Sequence, residues 1–120
     1  MKKVLFVEDN MQLQELYKDI LDKDNYHITF AETGAKALEV MHAEQPDLVL
    51  LDIMIPGGMN GFDVLETIKR DEKLKNIPVI VCTNLDTERD TALSIGAVDY
   101  IVKVNTNPEK LLEKINKYLK

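Results

Sequence analysis

One cysteine, two histidines and no sustained basic run: these scarcities exclude more than the abundant residues do. A single Cys82 rules out a disulfide within the chain, and its place inside an apolar run reads as a small buried hydrophobe. His27 and His42 stand apart, each without a partner residue nearby in sequence, so neither reads as a phosphodonor or metal ligand. The absence of a basic run argues against nucleic acid as a direct ligand. The first apolar stretch, residues 4–7, is too short for a signal peptide or membrane span and is followed at once by acidic residues. A cytoplasmic protein, not bound to membrane, is expected. Nor is there a linker, repeat or low-complexity segment.

What remains is a 120-residue chain that is 45% hydrophobic, with 21 acidic against 15 basic residues and a formal net charge of −6. That size fits one domain with one core, taken as residues 1–120, and the apolar content is too high for disorder. The acidic excess bears on solubility rather than on fold.

Apolar runs alternate with helical patterns five times. Strands are expected at residues 3–7, 26–31, 48–51, 77–82 and 98–102. The first and third are the most apolar and suit central positions, the third being covered on both faces. The second alternates polar and apolar, as a half-exposed strand does. Leu13, Leu16, Tyr17, Ile20 and Leu21 fall on one helix face, as do Phe62, Leu65 and Ile68, and Leu111, Leu112, Ile115, Tyr118 and Leu119. Ala37, Leu38 and Met41 open another stripe. Asn107 before Pro108 is a strong helix start. Residues 86–95 should form the loosest helix, since Thr87, Asp90, Thr91 and Ser94 are weak helix formers. Five βα units imply an α/β fold, a doubly wound parallel sheet with helices on both faces.

In such a sheet, strand ends of one sense share an edge, and ligands bind outside the carboxyl ends. Glu8 and Asp9, Asp52, Thr83 and Lys103 each fall just after one of the apolar runs. Two like charges about 4 Å apart repel by roughly 4 kcal/mol at an effective dielectric near 20, so three carboxylates there need a counter-charge. Hard oxygen donors without nearby His or Cys favour Mg²⁺. A carboxylate can be phosphorylated as a nucleophile, with a lysine and a hydroxyl to hold phosphoryl oxygens. Taken singly, Asp9 reads equally well as a helix N-cap, Asp52 as a turn former before Pro56-Gly57-Gly58, and Thr83 and Lys103 as ordinary strand-end residues. Their joint placement on separate strand ends is what points to a site.

The segments Val4-Leu5-Phe6-Val7-Glu8-Asp9-Asn10, Leu50-Leu51-Asp52-Ile53-Met54-Ile55-Pro56-Gly57, Val81-Cys82-Thr83-Asn84 and Asp99-Tyr100-Ile101-Val102-Lys103 resemble the receiver domain of two-component response regulators. The resemblance runs over the whole length. It implies a flavodoxin-like, five-stranded parallel sheet of order 2-1-3-4-5 with five helices. It implies Asp52 as phosphoacceptor, receiving its phosphoryl group from a histidine kinase or histidine phosphotransfer protein. Asp9, Asp52 and the main-chain carbonyl of Met54 would bind Mg²⁺ directly, and Glu8 would act through water. Thr83 and Lys103 would hold the phosphoryl oxygens. Thr83 and Tyr100 would form the switch, with Tyr100 turning inward and repacking the face of the fourth helix, fifth strand and fifth helix. That change would alter binding to a downstream protein or output domain, and the same face allows a phosphorylation-dependent dimer.

Three positions depart from the family text. Val104 stands where Pro usually follows the lysine, which predicts a trans peptide and a less fixed reach for Lys103. Gly58 looks like an inserted residue before Gly61. Asn84 replaces a small residue, either narrowing access to the phosphoryl group or adding a polar contact. Met54 and Leu85 hold a hydrolytic water poorly, which predicts slow self-dephosphorylation. Two other readings compete. A Mg²⁺-dependent phosphohydrolase is opposed by Met54, where such enzymes often carry a second Asp. A pseudo-receiver that binds partners without phosphorylation is opposed by the intact acidic set.

Overall fold

A computed structural model describes residues 1–119. Five strands alternate with five helices: β1 (Lys3–Val7), α1 (Met11–Lys23), β2 (His27–Ala31), α2 (Gly34–Glu44), β3 (Leu48–Leu51), α3 (Gly61–Arg70), β4 (Val79–Thr83), α4 (Arg89–Ile95), β5 (Asp99–Val102) and α5 (Pro108–Leu119). All strand pairs are parallel, in the order β2-β1-β3-β4-β5. The flavodoxin-like topology expected from the sequence is the one found.

Burial follows the two-residue period of the strands. Val4, Phe6, Leu48, Leu50, Ile80, Cys82 and Ile101 face α1 and α5, where Tyr17, Ile20, Leu21, Leu111 and Ile115 close that half of the core. Leu5, Val7, Val49, Leu51, Val79 and Val81 face the other way, against Met41 of α2, Leu65 and Ile68 of α3, and Ala92 of α4. Every residue of β3 is buried, as a strand covered on both faces requires. β2 lies at an edge and keeps His27 exposed.

Side-chain caps set where the helices begin. Asn10, Thr33 and Asn107 accept from the main-chain N–H three residues on, at 3.1, 3.1 and 2.9 Å. Asn60 and Asp63 form a reciprocal capping box at the start of α3. α4 has no side-chain cap and buries Ala92 alone. It starts at Arg89, three residues later than the periodicity predicts. With seven residues it is the shortest α-helix among those described. Its polar composition leaves little apolar surface to hold a longer helix on the sheet.

Pro78 precedes β4 instead of lying within it, so the strand starts where N–H donors become available. β2 and β5 each start one residue later than expected.

Candidate functional site

The strand register brings the site residues together. Val7 of β1 pairs with Leu51 of β3, and Leu51 pairs with Val81 of β4. One residue further on, Glu8 and Asp52 leave adjacent strands at the same edge. Their main chains stay anchored, Asp52 N–H donating to the Val7 carbonyl at 3.2 Å and Glu8 N–H to the Ala31 carbonyl at 2.9 Å. Thr83 pairs with Val102 at the ends of β4 and β5. Lys103 follows directly.

Lys103 reaches back over this edge. Its Nζ donates to Asp52 Oδ2 at 2.7 Å and also to Glu8 Oε1. The side chains of Lys103, Glu8 and Asp52 are all buried, none more than 8% exposed. Burial pulls the Lys103 ammonium down, but its hydrogen bonds to Asp52 and Glu8 outweigh that and hold it above its usual value. Burial pushes the Glu8 carboxyl up, against the lowering contacts of Lys103 and the Asn10 N–H. The remaining oxygens are engaged as well. Asp52 Oδ1 accepts from Met54 N–H at 3.1 Å, and Glu8 Oε2 from Asn10 N–H at 3.0 Å.

Asp9 is exposed, whereas Glu8 is 2% exposed. The first helix is capped by Asn10, so Asp9 is free of the N-cap role that its position also allowed. Thr83 is wholly buried, and its Oγ1 accepts a long contact from Leu85 N–H at 3.5 Å. Tyr100 lies inward at 3% exposure, with its hydroxyl donating to the Leu85 carbonyl. Leu85 thereby joins the two candidate switch residues, Thr83 and Tyr100.

Among the described residues, no three His, Cys, Asp or Glu side chains are gathered to hold a metal ion by themselves. The three-carboxylate cluster drawn from the strand ends is therefore not closed in this structure. Glu8 and Asp52 pair with Lys103 instead, and Asp9 stays at the rim. The donors still suit Mg²⁺, which takes one or two carboxylates and keeps several waters. Asp9, Asp52 and the Met54 carbonyl are hard oxygens on adjoining segments.

Two further pairings form between separate elements. With Val104 in place of proline, Lys103 still reaches both Asp52 and Glu8. The peptide is trans, as expected, and Lys103–Asn105 forms a 3-10 turn. Val104 N–H donates to Asn84 Oδ1 at 3.1 Å, a bond that proline could not make. His42 also has a partner: its Nε2 lies 3.0 Å from Asp71 Oδ2. Neither pairing shows in local sequence, because the partners lie on different elements.

A doubly wound sheet with a lysine and two carboxylates at its carboxyl edge can hold a phosphoryl group, and likeness to known proteins identifies the family. The response regulator receiver domain model matches residues 4–116, and the chain belongs to that family. It is 38% identical to the transcriptional regulatory protein RstA of Escherichia coli, over all of this chain and 49% of that protein. It is 36% identical to the protein PilH of Pseudomonas aeruginosa, over 99% of this chain and 98% of PilH. The chain thus spans about half the length of relatives such as RstA but nearly all of PilH.

Among solved structures, the BeF3-activated receiver domain of Klebsiella pneumoniae RstA superposes with a TM-score of 0.90 at 34% identity, covering 99% of each chain. The response regulator TrrA of Thermotoga maritima, in complex with Mg²⁺ and beryllium fluoride, gives 0.88 at 35% identity, covering 98% of this chain and 99% of TrrA. Among the described residues, no helix is long and apolar enough to cross a membrane.

Proposed function

We propose that this chain is a cytoplasmic phosphoacceptor module: Asp52 takes a phosphoryl group from a phosphohistidine, and the resulting change alters binding to a protein partner or output domain. The observation that carries this reading is the Lys103 ammonium held against Asp52 at the carboxyl edge of the sheet. A buried lysine there neutralises charge on the incoming phosphoryl oxygens, which is most of what phosphoryl transfer asks of a protein. Asp52 forms an oxygen–phosphorus bond as the donor's nitrogen–phosphorus bond breaks, and the imidazole leaves. Thr83 donates its hydroxyl to a phosphoryl oxygen.

Asp9, Asp52 and the Met54 carbonyl would hold Mg²⁺, with Glu8 acting through water. When bound, the ion supplies further charge neutralisation and orientation at the phosphoryl oxygens. The beryllium fluoride complex of TrrA supports this assignment by similarity. As Thr83 engages the phosphoryl group, its contact with Leu85 would change. Tyr100 would respond through the same Leu85, repacking the face of α4, β5 and α5, where a phosphorylation-dependent dimer is one output.

A protein donor is favoured by the apolar rim. Met11, Met54 and Val104 are exposed around the edge, and Lys103 also lines a cleft of about 90 Å³ between α1 and the start of α5. Met54 and Leu85 offer no side-chain hydrogen bond to a hydrolytic water, so the acyl phosphate should persist well beyond a few seconds.

The test is intact mass after incubation with Mg²⁺ and acetyl phosphate. A stable gain of one phosphoryl group, absent in Asp52→Asn, is expected. Turnover of many equivalents of a phosphomonoester would instead identify a hydrolase, and no modification by any donor would identify a pseudo-receiver.

A further inference from the structure

Two of the three departures from the family text, Asn84 and Val104, meet each other. Twenty residues separate them in sequence, yet Val104 N–H donates to Asn84 Oδ1 at 3.1 Å. The register explains why. The β4–β5 ladder ends at the pair Thr83 and Val102, so Asn84 and Lys103 are the first residues past the last rung, and Val104 is the next. A side-chain oxygen takes over where main-chain pairing stops. A proline after Lys103 would stiffen the loop through its fixed φ but would have no N–H to give. A small residue in place of Asn84 would offer no acceptor.

We propose that Asn84 is a positioning residue for phosphoryl transfer. By tying the β4–α4 loop to the β5–α5 loop, it fixes the spacing between the Thr83 hydroxyl and the Lys103 ammonium. Each of those groups sits one residue from an end of the tie. The 3-10 turn over Lys103–Asn105 closes the loop on the far side, where Thr106 N–H donates to the Lys103 carbonyl at 3.2 Å and Thr106 Oγ1 to the Val102 carbonyl at 3.0 Å. Lys103 is thus held by its ion pairs at the tip and by its neighbours at the main chain. This inference rests on the receiver reading above, because it concerns the rate at which Asp52 is phosphorylated.

The experiment compares the wild type, Asn84→Ala, Val104→Pro and the double variant. The rate of Asp52 phosphorylation by acetyl phosphate with Mg²⁺ is read by intact mass. Loss of one hydrogen bond that acts on the reacting geometry should slow Asn84→Ala about fivefold. In the V104P background, where the donor is already gone, Asn84→Ala should cost nothing further. Mg²⁺ affinity, followed by thermal shift, should not change in Asn84→Ala, because the tie touches none of the oxygens assigned to the ion. Without Mg²⁺ or phosphodonor, the Val104 amide should lose about fivefold of its hydrogen-exchange protection in Asn84→Ala, and its NMR resonance should move.

An Asn84→Ala protein that matches the wild type in rate, or that slows equally in both backgrounds, overturns the positioning role. An unaltered Val104 amide overturns the tie itself. If the wild type takes up no phosphoryl group, the receiver reading fails and the inference falls with it; a modified wild type beside an unaffected variant sinks the inference alone.

Discussion

The ammonium of Lys103 lies 2.7 Å from the carboxylate of Asp52, although 51 residues separate them in sequence. The same nitrogen also pairs with Glu8, so one cation serves two buried anions. Removing it should expose how much of the site's order depends on it. In Lys103→Met, Glu8 and Asp52 face each other without a counter-charge. Breaking a buried pair this way costs about 3 kcal/mol. Urea denaturation should show that loss, and the further change Glu8→Gln should recover part of it. Phosphorylation should slow about 100-fold or more, as removal of a single electrostatic contact to a transition state commonly does.

Mg²⁺ binding to the folded chain should raise its thermal midpoint. At ten times the dissociation constant the gain is about 1.4 kcal/mol, and EDTA should reverse it. In wild type, the proposed ion would share Asp52 with the Lys103 ammonium, and the two cations would repel. The shift should therefore be larger in Lys103→Met than in wild type, and small in Asp52→Asn. A thermal-shift titration of the three proteins measures all of this.

Gly61 holds the main chain beneath Asp52. A Cβ there would lie 2.4 Å from the Asp52 carbonyl oxygen and 2.5 Å from Ile53 Cα, both main-chain atoms that cannot swing aside. Gly61 N–H also donates to the Ile53 carbonyl at 2.8 Å. Gly61→Ala should therefore destabilise by about 2–3 kcal/mol and impair phosphorylation by shifting Asp52. Gly58, the inserted loop residue, has open space around its would-be Cβ. Gly58→Ala should lie within about 0.5 kcal/mol of wild type and phosphorylate normally. Chemical denaturation and the mass assay separate the two.

Asp99 should make part of the stability depend on acid. Burial raises its carboxyl, but the Tyr100 N–H, Lys114 and Tyr118 outweigh that and hold it below the ordinary carboxylate range. Lys114 Nζ lies 3.0 and 3.1 Å from its two oxygens, and the Tyr118 hydroxyl donates at 3.0 Å. A carboxyl that titrates lower when folded contributes its full stability above the unfolded value of about 3.9, and that contribution is lost as pH falls through the folded value. Asp99→Asn should cost about 1–2 kcal/mol at pH 7, where hydrogen bonds to the charged form are lost. The gap to wild type should close below about pH 4. Denaturation curves between pH 2.5 and 7 test this.

Much of the frame is legible in the sequence alone. Alternating apolar runs and helical stripes located all five strands and five helices, because burial in a layered α/β domain imposes those periods directly on the chain. Asn107-Pro108 marked the start of α5 for a local reason, the capping of free N–H groups. The ends of α4 and β4 were less legible. There weak helix formers and the missing donor of Pro78 leave the boundary to packing.

Within the site, sequence order alone placed Glu8, Asp52, Thr83 and Lys103 at one edge, since parallel strands must end together. It could not tell that Glu8 turns inward while Asp9 stays exposed, that Lys103 closes on two carboxylates, or that Asn84 receives the N–H that a proline would lack. Nor could it pair His42 with Asp71. Local periodicity records which way a residue faces within its own element. Contacts across 95, 51 or 20 residues depend on how the elements dock, and only the folded chain sets those distances.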